Sequence, residues 1–154
     1  MTEHRYRVDG TSTAPPEVVF AVLADGAGWS RWAPGVARSG YEREGVPAPH
    51  GVGAIRRFGP SRGPVSREEV VVYEPPRHFA YVALSGPLPW RDYRSEVVLG
   101  PGPGGDGTRI DWTGSFESRV PGLGAFIRRT VTGFVRGLIR ESELRAASSP
   151  PTDA

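Results

Sequence analysis

Cysteine and lysine are both absent from the chain. Without cysteine there is no disulfide scaffold, no thiolate zinc site and no cysteine nucleophile. Without lysine, Schiff-base chemistry and a phosphate-loop lysine drop out as well. Long apolar runs are missing too: nothing approaches the roughly eighteen residues of a membrane-spanning helix, so no stable membrane insertion is expected. The first seven residues, Met1 to Arg7, carry no apolar core of a secretory leader, and a cytoplasmic location is the expectation. Histidine is scarce; His4, His50 and His78 form no metal-spaced cluster, so neither a metal nor another cofactor is expected. No serine sits in a nucleophile elbow. The glycine-rich stretch 102–107 opens no helix and reads as a loop, not a phosphate cradle.

A large charge of one sign is also lacking. The 19 basic residues, all arginine, face 17 acidic ones for a net charge of +2, too weak and too dispersed to indicate nucleic-acid binding. The 154 residues and their 38% hydrophobic content fit one globular domain, expected over 1–147 with a frayed tail over 148–154. Either a monomer or a homodimer fits.

Glycine (21) and proline (16) are plentiful, and they punctuate the chain into segments of regular structure. Residues 6–13 read as a strand. Pro15-Pro16-Glu17 then opens a helix, proline suiting its first turn and Glu17 the positive end of its dipole. A second short helix is expected over 26–33, carrying Trp29 and Trp32. Six strand-like segments follow: 35–43, 52–58, 65–73, 78–85, 90–99 and 108–116, rich in Val, Tyr, Phe and Trp and joined by short turns, which favours an antiparallel meander. In the last, Thr108, Ile110, Trp112, Gly114 and Phe116 share one face; in the one before, Tyr93, Ser95, Val97 and Leu99 do. A sheet with one buried and one wet face follows.

Residues 122–145 read as a long amphipathic helix. Leu123, Ile127, Val131, Phe134 and Leu138 fall within an arc of about 80°, extended by Phe126, Thr130, Gly137 and Glu141. Arg128, Arg129, Arg136 and Arg140 lie opposite, as a solvated face. One apolar helix face and one apolar sheet face are satisfied by packing on each other.

Several fragments in this order resemble the polyketide cyclase/dehydrase branch of the START-like superfamily, which includes the birch-pollen-allergen-like proteins. They are Ala14-Pro15-Pro16-Glu17-Val18-Val19-Phe20, Trp29-Ser30-Arg31-Trp32-Ala33-Pro34-Gly35-Val36, Gly51-Val52-Gly53-Ala54-Ile55-Arg56 and Tyr73-Glu74-Pro75-Pro76-Arg77-His78-Phe79-Ala80-Tyr81. Leu88-Pro89-Trp90-Arg91-Asp92-Tyr93-Arg94 and Gly107-Thr108-Arg109-Ile110-Asp111-Trp112-Thr113-Gly114 complete the set. The resemblance implies an α+β helix-grip fold: a curved antiparallel sheet of six to seven strands around a long C-terminal helix, with two short helices after the first strand. It also implies a cavity between helix and sheet.

Within that frame Trp32, Tyr81, Trp90, Trp112, Phe126, Thr130 and Phe134 are the candidates for lining a ligand cavity, since aromatic walls with polar tips suit planar, partly oxygenated molecules. Trp32 and Trp112 also suit plain core, and Thr130 a bond to its own helix. Gly133 and Gly137 either leave room for the ligand or mark close contact. Arg57, Glu68 and Tyr93 are the candidate catalytic groups, a Glu–Arg pair being able to exchange a proton or orient an enolate. Periodicity leaves open which way Arg57, Glu68, Glu69 and Arg94 face. Three functions stand: a carrier of a hydrophobic, aromatic polyketide-like or lipid-like molecule; a metal-free aromatase/cyclase or dehydratase acting on one; and an interaction module with a vestigial cavity.

Overall fold

The computed structural model describes residues 1–148. Its chain begins with β1 (Thr2–Ser12), α1 (Pro16–Ala24) and a 3₁₀ segment (Gly26–Arg31). Six strands follow: β2 (Arg38–Arg43), β3 (Ile55–Gly59), β4 (Ser66–Glu74), β5 (His78–Ser85), β6 (Arg91–Pro101) and β7 (Thr108–Ser118). The long helix α2 (Leu123–Ser148) ends the described chain. The seven strands form one antiparallel sheet in the order β1-β7-β6-β5-β4-β3-β2. Consecutive strands β2 to β7 are neighbours, and β1 closes onto β7, so α1 and the 3₁₀ segment carry the chain from one edge of the sheet to the other. This is the helix-grip arrangement anticipated above.

Several boundaries differ from the sequence reading. β1 starts at Thr2, four residues early, because its polar N-terminal half pairs in register with β7 from Thr2↔Ser118 onward. β2 starts only at Arg38, because Gly35 turns the chain with φ +81°. Val52 lies outside β3, in an isolated bridge to Val46. Ser148 continues α2 and donates from its hydroxyl to the Arg145 carbonyl, so it does not belong to a tail; the tail expected beyond it lies outside the described residues.

Strand alternation places the core. On β7, Thr108, Ile110, Trp112 and Phe116 are buried, as are Tyr93, Ser95, Val97 and Leu99 on β6. Helix α2 buries Leu123, Ile127, Val131, Val135 and Leu138, while Phe134 is only half-buried. Gly114 faces Tyr6 across the β1–β7 ladder, and a β-carbon there would stand 2.3 Å from the tyrosine ring and hydroxyl. Its missing side chain is the space the Tyr6 ring occupies.

Gly137 is the second glycine set by contact. A β-carbon there would meet the Trp32 carbonyl oxygen at 2.2 Å. The position therefore makes no room for a ligand; backbone fills it. Gly137→Ala is expected to lower stability by about 1–3 kcal/mol through overpacking, although alanine is the better helix former. Chemical denaturation checks this, and a gain in stability would overturn the contact.

Candidate functional site

Helix α2 packs along β1 and α1 and only lightly on β7; it makes no comparable contact with β3, β4 or β5. The apolar faces of those strands are thus left partly uncovered, and a cavity of about 400 Å³ opens between them and the N-terminal half of α2. Its walls are Trp29, Phe58, Tyr81, Tyr93 and Trp90 on one side and Phe126, Ile127, Thr130, Val131 and Phe134 on the other. Pro34, Pro60, Pro64 and Pro87, from the loops around it, line the same space. Mostly apolar walls with few polar groups are the usual lining of a small-molecule pocket.

A one-residue irregularity in β6 brings two of these walls together. Arg91 pairs with Glu117 and Arg94 with Ser115, so three steps on β6 match two on β7. Asp92 takes φ 53° at this bulge. In strict alternation Trp90 and Tyr93, three apart, would face opposite sides of the sheet. The extra residue lets both line the cavity, with rings stacked at 4.3 Å between centroids.

One ionisable pair lies at the inner wall. Arg56 on β3 pairs in register with Glu68 on β4, and both turn inward. The Arg56 side chain is completely buried, and its guanidinium carbon sits 4.8 Å from the Trp29 ring centroid, 5.0 Å from Phe58 and Phe79, and 5.1 Å from Tyr81. Its Nη2 lies 3.7 Å from Glu68 Oε1, beyond hydrogen-bond length. Nη1 reaches the Leu23 carbonyl at 3.5 Å, and Nε and Nη2 have no hydrogen-bond partner. The Glu68 side chain is 13% exposed and borders the cavity. Burial outweighs the attraction of Arg56 and raises its pKa from 4.5 to about 7.

Behind Tyr93 runs a buried chain of hydrogen bonds. Trp112 Nε1 donates to Ser95 Oγ at 2.8 Å, and Ser95 Oγ donates to the Thr113 carbonyl at 3.1 Å. Tyr6 Oη stands 3.0 Å from Ser95 Oγ and 2.5 Å from Tyr93 Oη. Burial lifts the Tyr6 pKa to about 12 and holds those of Tyr81 and Tyr93 well above the ordinary phenol value.

Of the ligand-lining candidates, Tyr81, Trp90, Phe126, Thr130 and Phe134 do border the cavity. Phe126 is 56% exposed, and the Thr130 hydroxyl is committed to the Phe126 carbonyl at 3.1 Å. Trp32 and Trp112 are buried and do not border it. Trp32 packs beside Trp29, and Trp112 is anchored to Ser95.

Of the catalytic candidates, Glu68 and Tyr93 border the cavity but Arg57 does not: it is exposed on the outer face, and the inward arginine is its neighbour Arg56. Glu69 and Arg94 also face outward, paired with Arg43 at 2.8 Å and Glu96 at 3.0 Å. Arg56 was legible from Phe58, two residues on, whose inward ring fixes the phase of β3. Nothing in the sequence singled out Trp29 over Trp32. Among the described residues no group of three or more His, Asp or Glu could hold a metal ion, and no described helix is long and apolar enough to cross a membrane.

Comparison with known proteins places this geometry. A family model described as polyketide cyclase / dehydrase and lipid transport matches residues 3–146. An uncharacterised protein of Mycobacterium tuberculosis is 29% identical over 146 residues, covering 87% of this chain and 81% of the relative. Among solved structures, the Zhui aromatase/cyclase from Streptomyces superposes with a TM-score of 0.78 at 20% identity, covering 97% of this chain and all of the other. A START superfamily protein from Mycobacterium smegmatis gives 0.71 at 14% identity, covering 94% of this chain and 97% of the other. The di-domain aromatase/cyclase StfQ of the steffimycin pathway gives 0.72 at 13% identity, covering 94% of this chain and 51% of that longer one. At these identities the solved structures speak for the fold.

Proposed function

Because the chain belongs to the polyketide cyclase/dehydrase and lipid transport family, we propose that it binds a planar, partly oxygenated aromatic molecule of polyketide type between α2 and strands β3 to β5. The observation that carries this reading is the open, aromatic-walled cavity of about 400 Å³ with a single carboxyl group on its wall. A filled interior would have favoured an interaction module; the gap between α2 and the middle strands supports the small-molecule reading instead.

A second reading, turnover, is favoured by the Glu68–Arg56 pair. A carboxyl group with a pKa of about 7 is present in both forms at neutral pH. Its carboxylate, with the Arg56 cation behind it, can take a proton from a carbon next to a carbonyl. Its acid form can deliver a proton to a departing hydroxyl. Together these are the two proton transfers of a dehydration.

The test uses 3-hydroxy-1-tetralone, which forms 1-naphthol by losing the C2 proton and the C3 hydroxyl as water, followed by tautomerisation. The protein is expected to accelerate 1-naphthol formation over buffer, and Glu68→Gln to lose the acceleration by about 100-fold or more while 1-naphthol still binds. Binding without acceleration would leave a carrier. Failure of both compounds to bind, read by calorimetry, would overturn the pocket itself.

A further inference from the structure

With Trp112 donating to Ser95 and Ser95 to the Thr113 carbonyl, one arrangement of protons in the chain behind Tyr93 gives every contact its proton. The Thr113 carbonyl can only accept, so the Ser95 hydroxyl proton is spent on it. Ser95 Oγ therefore accepts from both Trp112 Nε1, which can only donate, and Tyr6 Oη. With its proton directed to Ser95, Tyr6 has only lone pairs to offer Tyr93, and their short contact requires Tyr93 to be the donor. The Tyr93 proton thus points away from the cavity that its ring borders.

Resting on the pocket reading above, we propose that Tyr93 is an acceptor-only, specificity-determining group, set in that state by Tyr6, and that the cavity selects aromatic ligands carrying a hydroxyl donor over those whose oxygen is capped. All four side chains of the chain are buried, and the Thr113 carbonyl at its far end sets its direction. An ether or ketone oxygen placed against Tyr93 meets a second set of lone pairs and gains nothing for the water it gave up. A phenolic hydroxyl placed there completes the chain, which then runs from ligand to Tyr93, Tyr6, Ser95 and the Thr113 carbonyl. Tyr6 touches no ligand in this scheme; it is a positioning residue.

The test measures the affinities of 2-naphthol and 2-methoxynaphthalene by NMR titration on the same protein, with naphthalene as the apolar reference. In the unmodified protein the naphthol is expected to bind about tenfold more tightly than its ether, the worth of roughly one buried hydrogen bond. Tyr93→Phe brings the ratio down to about one. Tyr6→Phe removes the acceptor that holds the Tyr93 proton, which turns toward the cavity, and the ratio falls to one or below. A merely structural role for Tyr6 would shift both affinities together and leave the ratio intact. Naphthalene binding with a ratio near one in the unmodified protein, which needs no variant to fold, overturns the inference and leaves the pocket standing. A tenfold ratio that survives Tyr6→Phe also overturns it. Failure of naphthalene and both derivatives to bind overturns the inference and the pocket together.

Discussion

Replacing Arg56 with methionine is expected to stabilise the protein at pH 6 by about 1–4 kcal/mol, the range seen when a whole buried ion pair gives way to apolar groups, because at that pH the Glu68 left behind is mostly uncharged. For a chain of this length that is a rise in Tm of roughly 3–12 °C. A guanidinium taken wholly out of water costs several kcal/mol unless its donors are met. Here Nε and Nη2 have no hydrogen-bond partner, and Nη1 has only a long contact to Leu23. At pH 6 the nearest carboxyl group, 3.7 Å away, is mostly protonated. The four surrounding rings return part of the cost through cation–π attraction, but a thioether fits the same cage and leaves no donor unmet. Calorimetry of the variant decides: a fall in Tm would show that the aromatic cage alone more than offsets the desolvation. In the turnover reading, a gain in stability comes with a loss of function, because Glu68 loses the cation that favours its carboxylate. A buried group that weakens the fold yet sits beside the cavity fits a site maintained for chemistry.

The sequence revealed the architecture more fully than the site, and the reason is physical. The alternation of Thr108, Ile110, Trp112 and Phe116, and the stripe from Leu123 to Leu138, are long periodic signals that one residue cannot disturb. The site depends on short strands and on a bulge. β3 has five residues, too few for alternation to separate Arg56 from Arg57 without noticing that Phe58 sets the phase. The extra residue between Arg91 and Arg94 breaks the period at the point where Trp90 and Tyr93 come together, and no composition signal marks it. Glu68 could be nominated, but not oriented, until its register with Arg56 was known. Gly137 stood at the right place on the helix face for a cavity, yet the Trp32 carbonyl that fills it belongs to a loop distant in sequence.

Glu68 should also leave its mark on the pH dependence of folding. Its pKa is about 7 in the folded protein against 4.5 for the free group. Between those values the folded state holds a proton that the unfolded chain has released, so stability falls as pH rises through this window. The loss begins near pH 4.5, is complete above pH 7, and amounts to about 3 kcal/mol for this one group at 1.36 kcal/mol per pH unit. Glutamine resembles the protonated side chain and cannot titrate. Glu68→Gln should therefore match the unmodified protein near pH 4.5, diverge from it as pH rises, and exceed it by about 3 kcal/mol at pH 8. Every other ionisable group is common to both proteins, so the difference between the two curves isolates Glu68. Urea unfolding at pH 4.5, 6, 7 and 8 supplies both curves. Parallel curves would mean that Glu68 ionises in the folded protein as it does in water, which would put it in solvent and remove the proton source that the turnover reading needs.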